Sequence, residues 1–181
     1  MRKLFASLVL LVTLFSLPVY SQPQQSSHKK QVYFSPHGGS TQAIVDALNG
    51  ARKSVLVQAY SFTSYPIAEA LIDAHRRGVK VKAILDKSQI NVKGGKIDLL
   101  VNENIPVSID TAHAIAHSKV MIIDGQTLIT GSFNFTNAAE DRNAENLLII
   151  KNKTLASKYR ANWYNHKKHS EPYIVGATHS N

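Results

Sequence analysis

Apolar positions along the chain come in short runs with two periods, and the alternation between them outlines an architecture. Residues 31–34 (QVYF), 54–60 (SVLVQAY), 79–85 (VKVKAIL), 107–109, 117–123, 127–131 and 145–150 are apolar stretches of strand length, rich in β-branched residues. Between them, Ile67, Ala70, Leu71 and Ala74 recur at helical spacing within 66–77, and Gly78 stops that helix. A helix over 41–48 follows the turn Pro36-His37-Gly38-Gly39, with Ser40 as its expected N-cap and Asn49-Gly50 as its end. A short helix is predicted at 96–102, and an amphipathic one at 155–166 closes the chain. Strands alternating with helices of this length predict an α/β fold, an α-β-α sandwich around a mixed β-sheet. The turn Asp124-Gly125-Gln126 leaves no room for a crossover, so the strands on either side of it are antiparallel. No internal repeat interrupts this pattern, and one domain is expected.

The first residues have a different character. Arg2-Lys3 is a short basic segment, residues 4–17 are almost unbroken apolar sequence, and Val19-Tyr20-Ser21 places small residues where a signal peptidase reads. Residues 1–21 are therefore expected to be a signal peptide, with a retained anchor as the competing reading, since a bilayer span needs about 20 apolar residues. Residues 22–30 read as a flexible leader and 31–181 as the folded domain of a periplasmic or secreted protein. After cleavage, no stable membrane association is expected.

The 181 residues carry 21 Lys and Arg against 12 Asp and Glu, a net charge of +9. Removing residues 1–21 takes away Arg2 and Lys3 and no acid, which lowers the charge by two to +7. Such a balance favours polyanionic partners, nucleic acid or anionic headgroups. Cysteine is absent, which excludes disulfides, zinc–thiolate sites and cysteine nucleophiles.

Polar side chains interrupt the strand-like segments in three pairs spaced i, i+2: His117 and Lys119, Ser132 and Asn134, Asn143 and Glu145. Alternate residues of a strand share a face, so each pair projects together. A nucleophile or base, a permanent cation, neutral donors and a carboxylate able to orient an imidazole make up a set suited to phosphate. Asp124 falls on the opposite parity from His117 and is expected to act through turn hydrogen bonds or a salt bridge, without touching substrate. No metal site is expected: lysine is a poor ligand, and His113 with His117 would need helical geometry in a strand context.

The series His117-x-Lys119-x4-Asp124-Gly125, followed by Gly131-Ser132-Phe133-Asn134, resembles the signature of the phospholipase D superfamily. Asn143-Ala144-Glu145-Asn146 resembles the acidic stretch that follows it, and the resemblance extends from Val32 to Trp163. The branch it is most similar to is the small secreted bacterial nucleases with one motif per chain. The resemblance implies a phospholipase D-like fold and a phosphohistidine formed on His117, then hydrolysed by water. It implies further that Lys119 and Asn134 hold phosphate oxygens, that Ser132 lines the same pocket, and that Glu145 fixes a histidine tautomer. Asp124 belongs to the same catalytic motif, and the family needs neither divalent metal nor cofactor for this hydrolysis.

A histidine attacking phosphorus in line cannot also protonate the group leaving on the far side, so a second proton donor is required. His28-Lys29-Lys30 and His166-Lys167-Lys168 repeat the His-x-Lys spacing but lack the rest of the motif, and read as solvated basic segments. A homodimer sharing one active site, with His117 of each copy facing the other, is the expected solution. The favoured substrate is nucleic acid, DNA and then RNA, cut without sequence preference. The alternative is a phospholipase D-type hydrolase or phosphatidyl transferase, with Phe62, Tyr65, Phe133 and Phe135 as a candidate apolar rim. A silent nucleic-acid-binding protein is a third reading, disfavoured because binding needs no nucleophile.

Overall fold

The computed structural model describes residues 30–176, so the expected signal peptide and most of the leader lie outside the described residues. Eight strands form one mixed sheet: β1 (Lys30–Ser35), β2 (Ser54–Ala59), β3 (Lys80–Asp86), β4 (Val107–Asp110), β5 (Lys119–Ile123), β6 (Thr127–Gly131), β7 (Glu145–Lys151) and β8 (Ser170–Pro172). Their order across the sheet is β1-β7-β6-β5-β2-β3-β4-β8. Strands β2, β3 and β4 are parallel neighbours, joined through α2 (Tyr65–Arg76) and α3 (Ile97–Asn102). The remaining pairs are antiparallel, including β5 with β6 across the Asp124 turn, as the short connection requires.

Alternation along the strands separates two cores. Val55, Val57, Val81, Leu85, Met121 and Ile129 face α1 (Ser40–Asn49), α2 and α3, packing with Ile44, Leu48, Ile67, Leu71 and Leu100. Leu56, Ile84, Val120, Ile122 and Leu128 face the opposite layer, where α5 (Lys153–His169) contributes Ala156 and Trp163. Trp163 is fully buried, and its indole N–H donates to the Val57 carbonyl at 2.8 Å. Truncating such a residue typically costs about 3–5 kcal/mol. The layers are thus helix, sheet, helix.

The departures from expectation have local causes. Ser40 opens α1 but makes no capping bond; its hydroxyl is buried without a partner. The cap is supplied instead by Glu140 of α4 (Asn137–Asp141), whose carboxylate accepts from the N–H groups of Gly39 at 2.9 Å and Thr41 at 2.7 Å. A carboxylate at a helix N-terminus also answers the helix dipole. Strand β5 starts at Lys119, two residues later than expected, so His117 lies on the loop that enters it. Helix α5 runs on to His169, and β8 follows it directly.

Candidate active site

Following the pairing directions, the C-terminal ends of β1, β2, β3, β4 and β6 and the N-terminal ends of β5, β7 and β8 lie along one edge of the sheet. The five expected residues His117, Lys119, Ser132, Asn134 and Glu145 all stand at that edge, at or just beyond these strand ends. Lys119 lies opposite Ala59 of β2, and Glu145 opposite Ser35 of β1.

Lys119 is 6% exposed. Its Nζ donates to the His117 carbonyl at 2.8 Å and lies 5.0 Å from the Tyr60 ring centroid. Burial pulls its pKa below the ordinary lysine value, and the nearby charge of Glu145 works in the other direction. The Tyr60 ring also stacks on His117 at 4.6 Å between centroids, tilted by 52°, which fixes one face of an otherwise exposed imidazole. The end of the loop 111–118 that carries His117 is held on either side of it: the Ala116 N–H donates to buried Asp86 at 2.7 Å, and the Ser118 carbonyl accepts from the Tyr60 N–H at 2.9 Å. An imidazole so placed is exposed to substrate on a fixed backbone.

On the other side of Lys119, Ser132 Oγ accepts from the Asn146 N–H at 3.0 Å and its side-chain amide at 3.3 Å. That couples the end of β6 to the start of β7 and so locates Glu145, whose carboxylate accepts from Asn143 at 3.1 Å. Asn134 carries a buried Oδ1 with no hydrogen-bond partner. A buried amide oxygen left unsatisfied at this edge is capacity for a ligand.

Asp124 does not join this group. It sits at the far end of β5, about 16 Å of strand away by the usual rise. There its carboxylate accepts from the backbone N–H groups of Arg52, Lys53 and Ser54, at 2.7 to 3.2 Å. Its bonds go to the backbone of another segment rather than to its own turn or a salt-bridge partner, and it stands apart from the five residues at the opposite edge. The expected apolar rim is also revised. Phe62, Phe133 and Phe135 are completely buried and only Tyr65 is exposed; the apolar side chains exposed at this edge are Tyr65, Ile115 and Phe34.

A second cluster on the same edge was missed. Asp110, at the end of β4 and fully buried, is met by Nδ1 of His113 at 3.0 Å, Nδ1 of His166 at 2.7 Å and Nε2 of His169 at 3.4 Å. Burial pushes the Asp110 carboxyl up, but hydrogen bonds from His166, then His113 and its charge, then His169 prevail and hold it down at about 2. The sequence carried a signal, the i, i+3 spacings Asp110-x2-His113 and His166-x2-His169. Reading 155–166 as the whole helix cut His169 off, and reading His166-Lys167-Lys168 as solvated hid the pair.

A three-layer fold whose mixed sheet gathers His, Lys, Ser, Asn and Glu at one edge defines a class, phosphodiester hydrolases of the phospholipase D superfamily. Residues 44–166 match the family described as "Cardiolipin synthase, PLD-like domain", and the chain belongs to that family. It is 46% identical over 148 residues to a "Phospholipase D" of Rickettsia typhi, covering 82% of this chain and 72% of that one. A "Mitochondrial cardiolipin hydrolase" of Xenopus laevis is 31% identical, with 82% and 72% covered. Among solved structures, Nuc from Salmonella typhimurium, a phospholipase D family member, superposes with a TM-score of 0.77 at 36% identity, over 82% of this chain and all of that one.

Proposed function

We propose that the protein hydrolyses phospholipid headgroup esters by a phospholipase D-type reaction in which His117 is the nucleophile. The observation that carries the choice of lipid is the 46% identity with a relative named Phospholipase D over most of both chains. The exposed side chains of Tyr65 at 53%, Ile115 at 58% and Phe34 at 64%, set at the edge where the polar cluster stands, support it as an apolar margin for acyl chains.

In this reading the His117 imidazole attacks phosphorus, the headgroup alkoxide departs with a proton from an acid on the opposite side, and a phosphohistidine forms. Water then cleaves the P–N bond, giving its proton to the same group. Lys119 and Asn134 bind the non-bridging oxygens, Ser132 lines their pocket, and Glu145 holds an imidazole in the productive tautomer. The opposite acid is His117 of a second copy, so the working unit is a homodimer. Export of the chain, through the apolar segment 4–17, accords with a substrate at a membrane surface outside the cytoplasm.

A nuclease is the second reading, favoured by the +7 expected once Arg2 and Lys3 are lost from the full chain's +9, and by lysines distributed along the chain, which bind phosphate backbones without regard to base. Purified full-length protein, incubated separately with phosphatidylcholine vesicles and with plasmid DNA, separates the two. Release of choline by the wild type, abolished by His117→Ala, is expected. Plasmid nicking without choline release would transfer the assignment to nucleic acid, and DNA retardation without cutting would remove the enzyme reading.

A further inference from the structure

The cluster around Asp110 is not used by the reaction above, and its composition is unusual for a purely structural ion pair. Three imidazoles converge on one buried carboxylate, and one ligating atom from each of Asp110, His113, His166 and His169 lies within 4.8 Å of all the others. We propose that these four side chains bind a divalent transition metal ion, zinc in the first instance, which clasps the loop carrying His117 to helix α5.

The donor set fits. Three imidazole nitrogens and one carboxylate oxygen are the ligands that Zn²⁺ takes in four-coordinate sites, at about 2.0–2.2 Å. Tetrahedral geometry at that bond length separates ligand atoms by about 3.4 Å. The nitrogens of His166, His113 and His169 stand 2.7, 3.1 and 3.4 Å from Asp110 Oδ2, so the two closer ones move out by a few tenths of an ångström, and every ligand atom already lies within 4.8 Å of the others. Side-chain rotation suffices, because the His113 side chain is 46% exposed and that of His169 37%. Ring centroids at 4.9, 5.1 and 5.3 Å place the three imidazoles mutually in contact, edge to face or tilted.

The ligands come from two distant parts of the chain. Asp110 and His113 start the loop 111–118, and His166 and His169 are one turn apart at the end of α5. The Asp86, Tyr60 and Lys119 bonds hold the far end of that loop, and the near end is held at Asp110 by the Ala112 N–H and the His113 ring. A metal would fasten that near end to α5 more firmly, four residues before His117. It acts through position and touches no substrate.

The test uses untagged full-length protein stripped by a chelator and then titrated with zinc chloride alone in a calorimeter. One zinc per chain is expected, with a rise in melting temperature and slower amide exchange across 111–118. His113→Ala, at a half-exposed position whose loss leaves the fold and its circular dichroism intact, should weaken binding more than about 100-fold. Losing a ligand exceeds the 10–100-fold typical of a group behind one. His169→Ala should do the same. Absence of stoichiometric zinc binding, or equal binding by both variants, would overturn the site. Binding without slower exchange in 111–118 would overturn the clasp. None of these readouts depends on which phosphodiester is the substrate.

Discussion

A lysine buried to 6% exposure with a backbone carbonyl as its hydrogen-bond acceptor keeps its charge at a cost, and Lys119 bears that cost at the edge where the proposed reaction binds its anion. Because burial lowers its pKa, the cation is present below the depressed value and is lost, as pH rises, sooner than from an ordinary lysine at 10.5. Inhibition by sulfate, whose own charge is constant over this range, should therefore weaken with rising pH at values below 10.5. Lys119→Arg, which stays protonated, should flatten that limb even where it slows turnover. Sulfate affinity that stays level up to the ordinary lysine range would remove Lys119 from the anion site. Asp124 makes the opposite kind of claim. Its carboxylate serves three backbone N–H groups far from the cluster, so Asp124→Ala should lose about 2 kcal/mol in denaturant unfolding. The kcat of the molecules that remain folded should hardly change. The i, i+2 pairs and the parity of Asp124 were legible because side-chain direction in a strand follows from the backbone alone. Glu140 as the cap of α1 was not, because it acts from 99 to 101 residues away.

Between elements, the junction of β6 and β7 decides where the polar pairs meet. Gly131 ends β6 with φ of +152°, and a Cβ there would overlap the carbonyl oxygen of Asn146. Only glycine lets the two strands approach this closely, and the approach is what brings Ser132 Oγ within 3.0 Å of the Asn146 N–H. Gly131→Ala should push β7 outward, lowering stability by about 1–3 kcal/mol. Because Glu145 precedes Asn146, kcat should fall by more than the folded fraction does. A variant with lowered melting temperature and unchanged kcat would show that the junction is structural only. Element existence and type were readable from periodicity, including the antiparallel β5–β6 pair. What escaped were the ends, and the ends bear chemistry: two residues at the start of β5 move His117 into a loop, and three at the end of α5 bring His169 to Asp110. Helix ends depend on tertiary partners rather than on local pattern.

At the scale of the whole molecule, the sheet collects from a linear chain a single set of the polar residues that the proposed reaction uses. If His117 is the nucleophile, an in-line displacement places the leaving oxygen opposite it, so the acid comes from beyond the attacking ring. Of the other imidazoles at this edge, His113, His166 and His169 are engaged with Asp110, and His37 is exposed just past the end of β1. A second copy related by a two-fold axis would supply the missing acid as its own His117. The arithmetic of mixing decides it. When wild type and His117→Ala are combined in equal amounts, unfolded together and allowed to pair at random, about one quarter of the dimers hold two histidines, one half hold one, and one quarter hold none. A mixed pair has either a nucleophile facing no acid or an acid facing no nucleophile, and neither completes a turnover. Activity per total protein should then be about a quarter of the undiluted wild type, whereas a chain that works alone would keep about half. The same sample run on a sizing column must elute as a dimer. A value of one half, or a monomer with full activity, would mean that one chain finds its proton donor within itself, and the shared site would have to be abandoned.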